Sequence, residues 1–218
     1  MNTLNKKMED VLEYVLRNAK QNDPQSILDV IDNYAMEGSL DKKRFLMNVG
    51  PEKGKILEES IKKHNPKKIL ELGAFLGYSA VLIGMNMSED STLVSVDPDN
   101  SAIIIASKIA DFAGMSGKIS FIKQKAEDAI DGFKDQFDFV FIDHAKKRYF
   151  PDLILLEKAN LLKKDSVVFA DNVGLFKEDM NEYLKHVRDS GIYYSKNISA
   201  HLEYRDNVYD AVEISIFK

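Results

Sequence analysis

The chain has 218 residues, of which 44% are hydrophobic and 30% charged, with a net charge of -5; this is the balance of one large globular domain with a sizeable core. The dispersed acidic charge offers no basic stripe for nucleic acid, the absence of cysteine excludes disulfides and thiolate metal sites, and no run approaches the roughly 20 apolar residues of a membrane span. The segment Met1 to Lys7 lacks the apolar centre of a signal peptide, so a soluble, cytoplasmic protein is expected.

The first 66 residues read as helical. Leu4, Met8, Val11, Leu12, Val15 and Leu16 recur at helical spacing. Asp23-Pro24 marks a second helix start, with Asp as N-cap and Pro in the first turn. A third helix is predicted over Lys53–His64, stopping before Pro66. From Lys67 onward strands and helices alternate. Strands are predicted at Lys68–Leu72, Thr92–Asp97, Lys118–Lys123, Phe137–Asp143 and Ser166–Asp171, and helices at Tyr78–Met87, Ser101–Ala113, Glu127–Lys134 and Tyr149–Asn160. Such alternation argues for a parallel sheet covered by helices on both faces. The end of the chain differs: a helix over Met180–Ser190, closed by Gly191, precedes two strands at Ile192–Ile198 and Val208–Phe217. Val212, Ile214 and Ile216 alternate with Ala211, Glu213 and Ser215, which suggests an antiparallel partner.

Two glycines open the helix that follows the first strand. Gly73 and Gly77 allow a tight turn and close backbone approach where a small cofactor crosses the carboxyl end of an α/β sheet. Their Gly-x-x-x-Gly spacing differs from the Gly-x-Gly-x-x-Gly of dinucleotide binders, and the Lys-Ser/Thr ending of a phosphate loop is missing. The site therefore reads as nucleotide-like without a pyrophosphate, which suits an adenosyl cofactor.

Carboxylates gather at the strand ends. Glu71 lies in the first strand, Asp97 ends the second, Asp143 the fourth and Asp171 the fifth. Each can equally cap the following helix. Asp97 is placed to accept both hydroxyls of a ribose. Asp143 with Asp171-Asn172 forms an oxygen-only set, which favours Mg²⁺, Mn²⁺ or Ca²⁺ over zinc; Asp171-Asn172 also reads as a simple turn. Lys146, Lys147 and Arg148 follow Asp143. A lysine of this run is a candidate general base beside a cation, while a solvated basic loop is the plainer reading. His144 can pack on a cofactor ring, ligate a metal or make a structural hydrogen bond. His64, His186 and His201 show no ligand spacing.

These residues, with Met47 to Gly50, Leu70 to Ala74, Gly77 to Ala80, Phe112 to Gly114, Ile142 to His144, Leu155 to Lys158, Ala170 to Val173 and Leu202 to Tyr204, resemble the class I S-adenosylmethionine-dependent O-methyltransferases of the catechol O-methyltransferase type. The resemblance runs over nearly the whole chain, in order and spacing. It implies an α/β, single-domain, Rossmann-like doubly wound sheet of seven strands with the last antiparallel. Residues 1–66 would form a helical part covering the active site, and residues 67–218 the cofactor-binding core. It further implies Mg²⁺ ligands at Asp143, Asp171 and Asn172, a general base at Lys146, and Glu203 on the second catechol hydroxyl, with Asn172 near the same diol. The S-adenosylmethionine positions are Met47, Val49, Glu71, Gly73, Tyr78, Ser79, Asp97, Glu127, Asp143 and His144. Of these Asp97 matches the ribose position, His144 the adenine position, and Met47 and Glu71 lie toward the sulfonium.

The chain departs from that pattern at the substrate walls, where two tryptophans and a proline of the family are matched by Phe45, Ala145 and Phe176. At the adenine side a Ser-Gln pair is replaced by Ala126-Glu127. These changes leave the ring substituents, regiochemistry and cofactor affinity open. The partner implied is a small catechol or phenol. A broader phenolic O-methyltransferase with the same metal site, or a cofactor-binding protein without turnover, are the alternatives. A nicotinamide-dependent reductase is disfavoured by the glycine spacing and a nucleic-acid methyltransferase by the acidic charge.

Overall fold

The computed structural model describes residues 3–37 and 46–218. Among these the elements are α1 (Thr3–Asn18), α2 (Pro24–Glu37), α3 (Gly50–His64), β1 (Lys68–Leu72), α4 (Tyr78–Asn86), β2 (Thr92–Asp97), α5 (Asn100–Phe112), β3 (Ile119–Lys123), α6 (Ala126–Gly132), β4 (Phe137–Ile142), α7 (Tyr149–Lys158), β5 (Leu162–Ala170), α8 (Asn181–Asp189), β6 (Tyr193–Leu202) and β7 (Arg205–Phe217). Local signals behave as expected: the Asp23 carboxylate accepts from Ser26 N at 3.2 Å at the start of α2, and Asp99 caps α5 by accepting from Ser101 N and Ala102 N.

One seven-stranded sheet runs in the order β3-β2-β1-β4-β5-β7-β6. β1 to β5 pair in parallel, and β7 runs antiparallel between β5 and β6. This is the Rossmann-like doubly wound architecture with its last strand reversed. The chain winds outward from β1 to β3, then returns to place β4 on the other side of β1. The strand order therefore reverses between β1 and β4, and the crevice lies beyond their carboxyl ends.

The period of two along each strand sorts its side chains between two cores. Ile69, Phe139, Phe141, Val167, Phe169 and Val212 pack with residues of α1 to α5 on one face. Leu70, Leu72, Val140, Ile142, Val168 and Ala170 pack with residues of α6, α7 and α8 on the other. Helices α1 and α2 form an outer layer on this side, α1 against α5 and α2 against α4, with Val11, Val15, Ile27 and Ile31 fully buried.

Backbone bonds continue past the strand ends and set the floor of the crevice. Gly73 N donates to Val96 O, Asp143 N to Leu72 O and Asp171 N to Ile142 O, at 2.9, 2.9 and 3.1 Å. The three strand-end residues are thereby tied in one row across β2, β1, β4 and β5. Gly73 is required where it stands: its φ is +108°, and a Cβ there would lie 2.6 Å from the Asp143 carbonyl oxygen.

The C-terminal hairpin is longer than the sequence pattern predicts. β6 extends to Leu202 and β7 starts at Arg205, paired with it across the turn at Glu203 and Tyr204, the latter at φ +57°. Polar residues such as Ser199, His201 and Asp206 hide this outer pairing, because an edge hairpin that reaches beyond the sheet core needs no apolar alternation to continue its ladder. The extension carries Glu203 to the crevice. β5 similarly begins at Leu162, and α3 begins at Gly50, three residues before the predicted start.

Candidate active site

Two cavities meet at the crevice. The larger, about 420 Å³, is lined by Met47, Asn48, Gly73 to Leu76, Tyr78, Ser79, Asp97, Glu127, Asp143, His144, Ala145 and Arg148 among others. The second, about 320 Å³, is lined by Leu175, Phe176, Leu202, Lys146, Asn172 and Glu203. Met47, Phe75, Asp143 and His144 belong to both.

In the larger cavity Asp97 is pinned by backbone groups. Its Oδ2 accepts from Ala74 N and Phe75 N at 3.1 and 3.3 Å, and its Oδ1 from Asp99 N at 2.8 Å. The carboxylate is thus fixed in place at the cavity wall. Glu71 and Val49 lie behind the lining. Glu71 is fully buried, accepts from Ser79 Oγ at 2.5 Å and also accepts from Ser95 Oγ. Burial pushes its carboxyl up to about 8, with the two hydroxyls opposing and the charges of Asp143 and Asp97 adding. Glu71 therefore reaches the cavity only through Ser79.

The basic run after β4 splits three ways. Lys146 turns back toward Asp143, Lys147 is exposed with Asp179 at 3.9 Å, and Arg148 bonds Asp152 at 2.5 Å and approaches Glu127 at 3.2 Å. Glu127 thus already has a cationic partner. His144 bonds Asp152 through Nε2 at 2.7 Å and stacks on Tyr149 with ring centroids 5.4 Å apart. Nε2 thus makes the structural hydrogen bond that the sequence allowed, and Nδ1 is left over. Among the described residues Asn48 Oδ1, His144 Nδ1 and Arg148 Nε are buried without a partner, and all three residues line the larger cavity. Buried polar atoms seldom remain unpaired, so this wall is fitted to a polar ligand.

The second cavity rests on a cluster of charges. Lys146 Nζ donates to Asp143 Oδ1 at 2.7 Å and to the Tyr149 hydroxyl at 2.8 Å; that hydroxyl donates to the Asp171 carbonyl at 3.2 Å. Lys53 Nζ lies 2.8 Å from an Asp171 oxygen, 2.6 Å from Glu203 and 2.8 Å from Asp210. Asn172 Nδ2 donates to Glu203 Oε1 and Asp210 Oδ2, both at 2.9 Å. An amide that gives its nitrogen to carboxylates keeps its oxygen as an acceptor. Phe176 forms part of the outer wall, with Lys146 Nζ 5.9 Å from its ring centre. Phe45 falls outside the described residues.

Among the described residues the formal charge of this cluster does not balance. Four carboxylates, Asp143, Asp171, Glu203 and Asp210, face two ammoniums, Lys53 and Lys146. Burial pushes Asp143 up to about 7, Lys146 opposing and the Asp171 charge adding. Burial likewise raises Glu203, against Lys53. Burial works to lower Lys53 too, but its three carboxylates win and raise it. Without a cation, raised proton affinity at Asp143 and Glu203 answers the formal excess of two; one divalent cation would answer it instead, and the donors of Asp143, Asp171 and Asn172 are hard oxygens.

Lys53 and Asp210 are functional-site residues that motif reading passed over. Both carried a signal. Lys53 falls on the buried stripe of α3 with Gly50, Gly54, Leu57 and Ile61, and Asp210 shares the inward parity of Val212, Ile214 and Ile216 on β7. A charge in an apolar stripe marks a buried partner.

A sheet with a cavity at its reversal point and carboxylates along the strand ends defines a Rossmann-like enzyme that works on a small molecule. A family model described as O-methyltransferase matches residues 28–199. Catechol O-methyltransferase of Mus musculus is 36% identical over 217 residues, spanning 97% of this chain and 79% of the mouse protein. Catechol O-methyltransferase of Sus scrofa is 37% identical over 179 residues, spanning 79% of this chain and 94% of the pig protein. The crystal structure of the O-methyltransferase from Bacillus cereus in complex with SAH shares the fold at a TM-score of 0.74 and 18% identity, covering 88% of this chain and 90% of that one. The chain belongs to the O-methyltransferase family. Among the described residues no helix is long and apolar enough to cross a membrane.

Asp32 of α2 ties this site to the N-terminal helices. It accepts from Tyr78 at 3.1 Å and from Tyr204 at 2.7 Å, and Asn48 Nδ2 donates to the same Tyr204 hydroxyl at 2.7 Å. Burial pushes Asp32 from 3.8 up to about 6, the tyrosine hydroxyls opposing and Asp29 adding. The native state therefore holds this proton more tightly than the unfolded chain, and the stability it contributes is lost as pH rises from about 4 to 6. Asp32→Asn removes that dependence: in thermal melts across pH 4 to 8, the variant's midpoint relative to wild type rises through this window and is level above it.

Proposed function

We propose that this protein transfers the methyl group of S-adenosylmethionine to one hydroxyl of a vicinal diphenol held on Mg²⁺, with Lys146 as general base. The observation that carries the reading is the pair of negative charges left over beside an apolar-walled cavity, with a lysine at its edge. The likeness to catechol O-methyltransferases supports the substrate class.

Asp143, Asp171 and the Asn172 amide oxygen would hold the cation. When bound, Mg²⁺ supplies positive charge that lowers the pKa of a chelated hydroxyl, and S-adenosylmethionine supplies an electrophilic methyl group. Lys146 would first release one proton to solvent; its neutral Nζ, held between Asp143 and the Tyr149 hydroxyl, then receives the proton that leaves the substrate hydroxyl. Glu203, at the hairpin tip, orients the second hydroxyl. Asp97 holds the ribose hydroxyls, and its three backbone donors keep it rigid for that task. Ser79, fixed by Glu71, and Tyr78, fixed by Asp32, line the methionine side. Met47 and Phe75 stand where the two cavities join. Phe176, Leu175 and Leu202 exclude water from the ring. The rest of the work is alignment, which is where proximity contributes most.

The assay follows methyl transfer to a catechol, its monophenol analogue and a coenzyme A ester, each with Mg²⁺ and with chelator. The diphenol is methylated with Mg²⁺ and not in chelator, and added Mg²⁺ restores turnover. Full turnover in chelator, or equal rates on the monophenol, would overturn the reading. Lys146→Ala lowers kcat by roughly 10²- to 10⁴-fold and leaves cofactor affinity by calorimetry unchanged; unaltered kcat would remove Lys146 as the base.

A further inference from the structure

Asp171, Glu203 and Asp210 each offer an oxygen within 4.8 Å of the others, a spacing that can hold a metal ion. The centre of that triad is taken. Lys53 Nζ lies among the three carboxylates at 2.6 to 3.0 Å, and the lysine side chain has no exposed surface. An ammonium has three hydrogens and no acceptor, so three carboxylates satisfy it fully. The protein supplies its own cation here, and the centre of the triad is closed to an exchangeable one.

The bonding is a closed ring. Glu203 Oε1 and Asp210 Oδ2 each accept from both Lys53 Nζ and Asn172 Nδ2. Asp210 is anchored in turn: its Oδ1 accepts from Gly174 N at 3.2 Å and Leu175 N at 3.0 Å, in the loop that leads to Phe176. Lys53 adds Asp171 to the ring. Helix α3, which bears Lys53, also meets the hairpin tip directly, since a Cβ on Gly50 would lie 3.2 Å from the Glu203 Cβ. One lysine on a rigid helix therefore joins the end of β5, the loop after it and the tip of the β6–β7 hairpin.

We propose that Lys53 is a positioning residue for the methyl transfer: it holds Asp171 and Glu203 in fixed register, so that the metal side and the diol-orienting side of the substrate cavity act as one unit. The proposal rests on the function proposed above. Lys53 touches neither cofactor nor substrate cavity, and it acts through the carboxylates it binds. A planar guanidinium cannot serve the same three directions, since its donors lie in one fork.

The test uses two variants of the full chain. Lys53→Met combined with Asp210→Asn removes one charge of each sign and so keeps the cluster's net charge, which favours folding; Lys53→Arg keeps the cation but not its geometry. Each is measured for Mn²⁺ affinity by calorimetry, for S-adenosylmethionine affinity without metal, and for the KM and ratio of the two monomethyl products from a ring-substituted catechol. The double variant is expected to bind Mn²⁺ about 10- to 100-fold more weakly, as metal sites do when a supporting partner is lost. In both variants the diphenol KM rises and the product ratio moves toward one, while S-adenosylmethionine affinity stays at the wild-type level. Wild-type Mn²⁺ affinity and product ratio in both variants would overturn the proposal. So would a loss spread equally over S-adenosylmethionine affinity, which marks a merely structural role. A wild-type protein that methylates no diphenol would refute the function instead, and the Mn²⁺ affinities would still decide the role of Lys53.

Discussion

Burying negative charge is the constraint on which this structure turns. Carboxylates removed from water are costly unless paired and hydrogen-bonded, yet four of them converge beside one cavity. Two lysines, one amide and several backbone N–H groups meet part of that demand. The part left unmet among the described residues is a formal excess of two charges. In the function proposed above, the cluster is divided between the internal cation Lys53 and a place for an exchangeable one.

The sheet exists in this form to hold that division still. Parallel ladders carry Gly73, Asp143 and Asp171 just past the ends of adjacent strands, each tied to its neighbour by one further backbone bond. Residues that are distant in the chain therefore share a row with little freedom along it. The antiparallel β7 and the long hairpin then bring Asp210 and Glu203 to the same place from the opposite direction. Helix α3 closes the arrangement by inserting Lys53, and Asp32 links the N-terminal helices to Tyr78 and Tyr204 on either side. The cofactor-sized cavity and the smaller apolar one adjoin because both are built on the same strand ends.

Much of this was legible in the chain. The alternation of apolar runs marked every strand of the parallel part, and the strand-end carboxylates Asp97, Asp143 and Asp171 stood out because acidic residues rarely follow so regularly on buried runs. Lys146 and Glu203 rested on resemblance to a family, since nothing local distinguishes one lysine in a basic run or one glutamate in a polar hairpin. The pairing that extends the hairpin to Leu202 and Arg205 was hidden by polar residues at an edge. Lys53 escaped notice because a lysine on a helix is ordinarily a solvated one; its place in a buried stripe was the only sign. Glu71 shows the converse: the resemblance put it toward the sulfonium, while its two serine partners hold it behind the cavity lining.

The proposed sharing of Asp171 between an internal and an exchangeable cation has a direct test. Crystals grown with Mn²⁺ and measured for anomalous scattering would locate the ion without reference to turnover. A single peak within bonding distance of Asp143, Asp171 and Asn172, with Lys53 still bonded to Asp171, Glu203 and Asp210, is the predicted result. A peak at the centre of Asp171, Glu203 and Asp210 with Lys53 displaced, or none at saturating Mn²⁺, would contradict it.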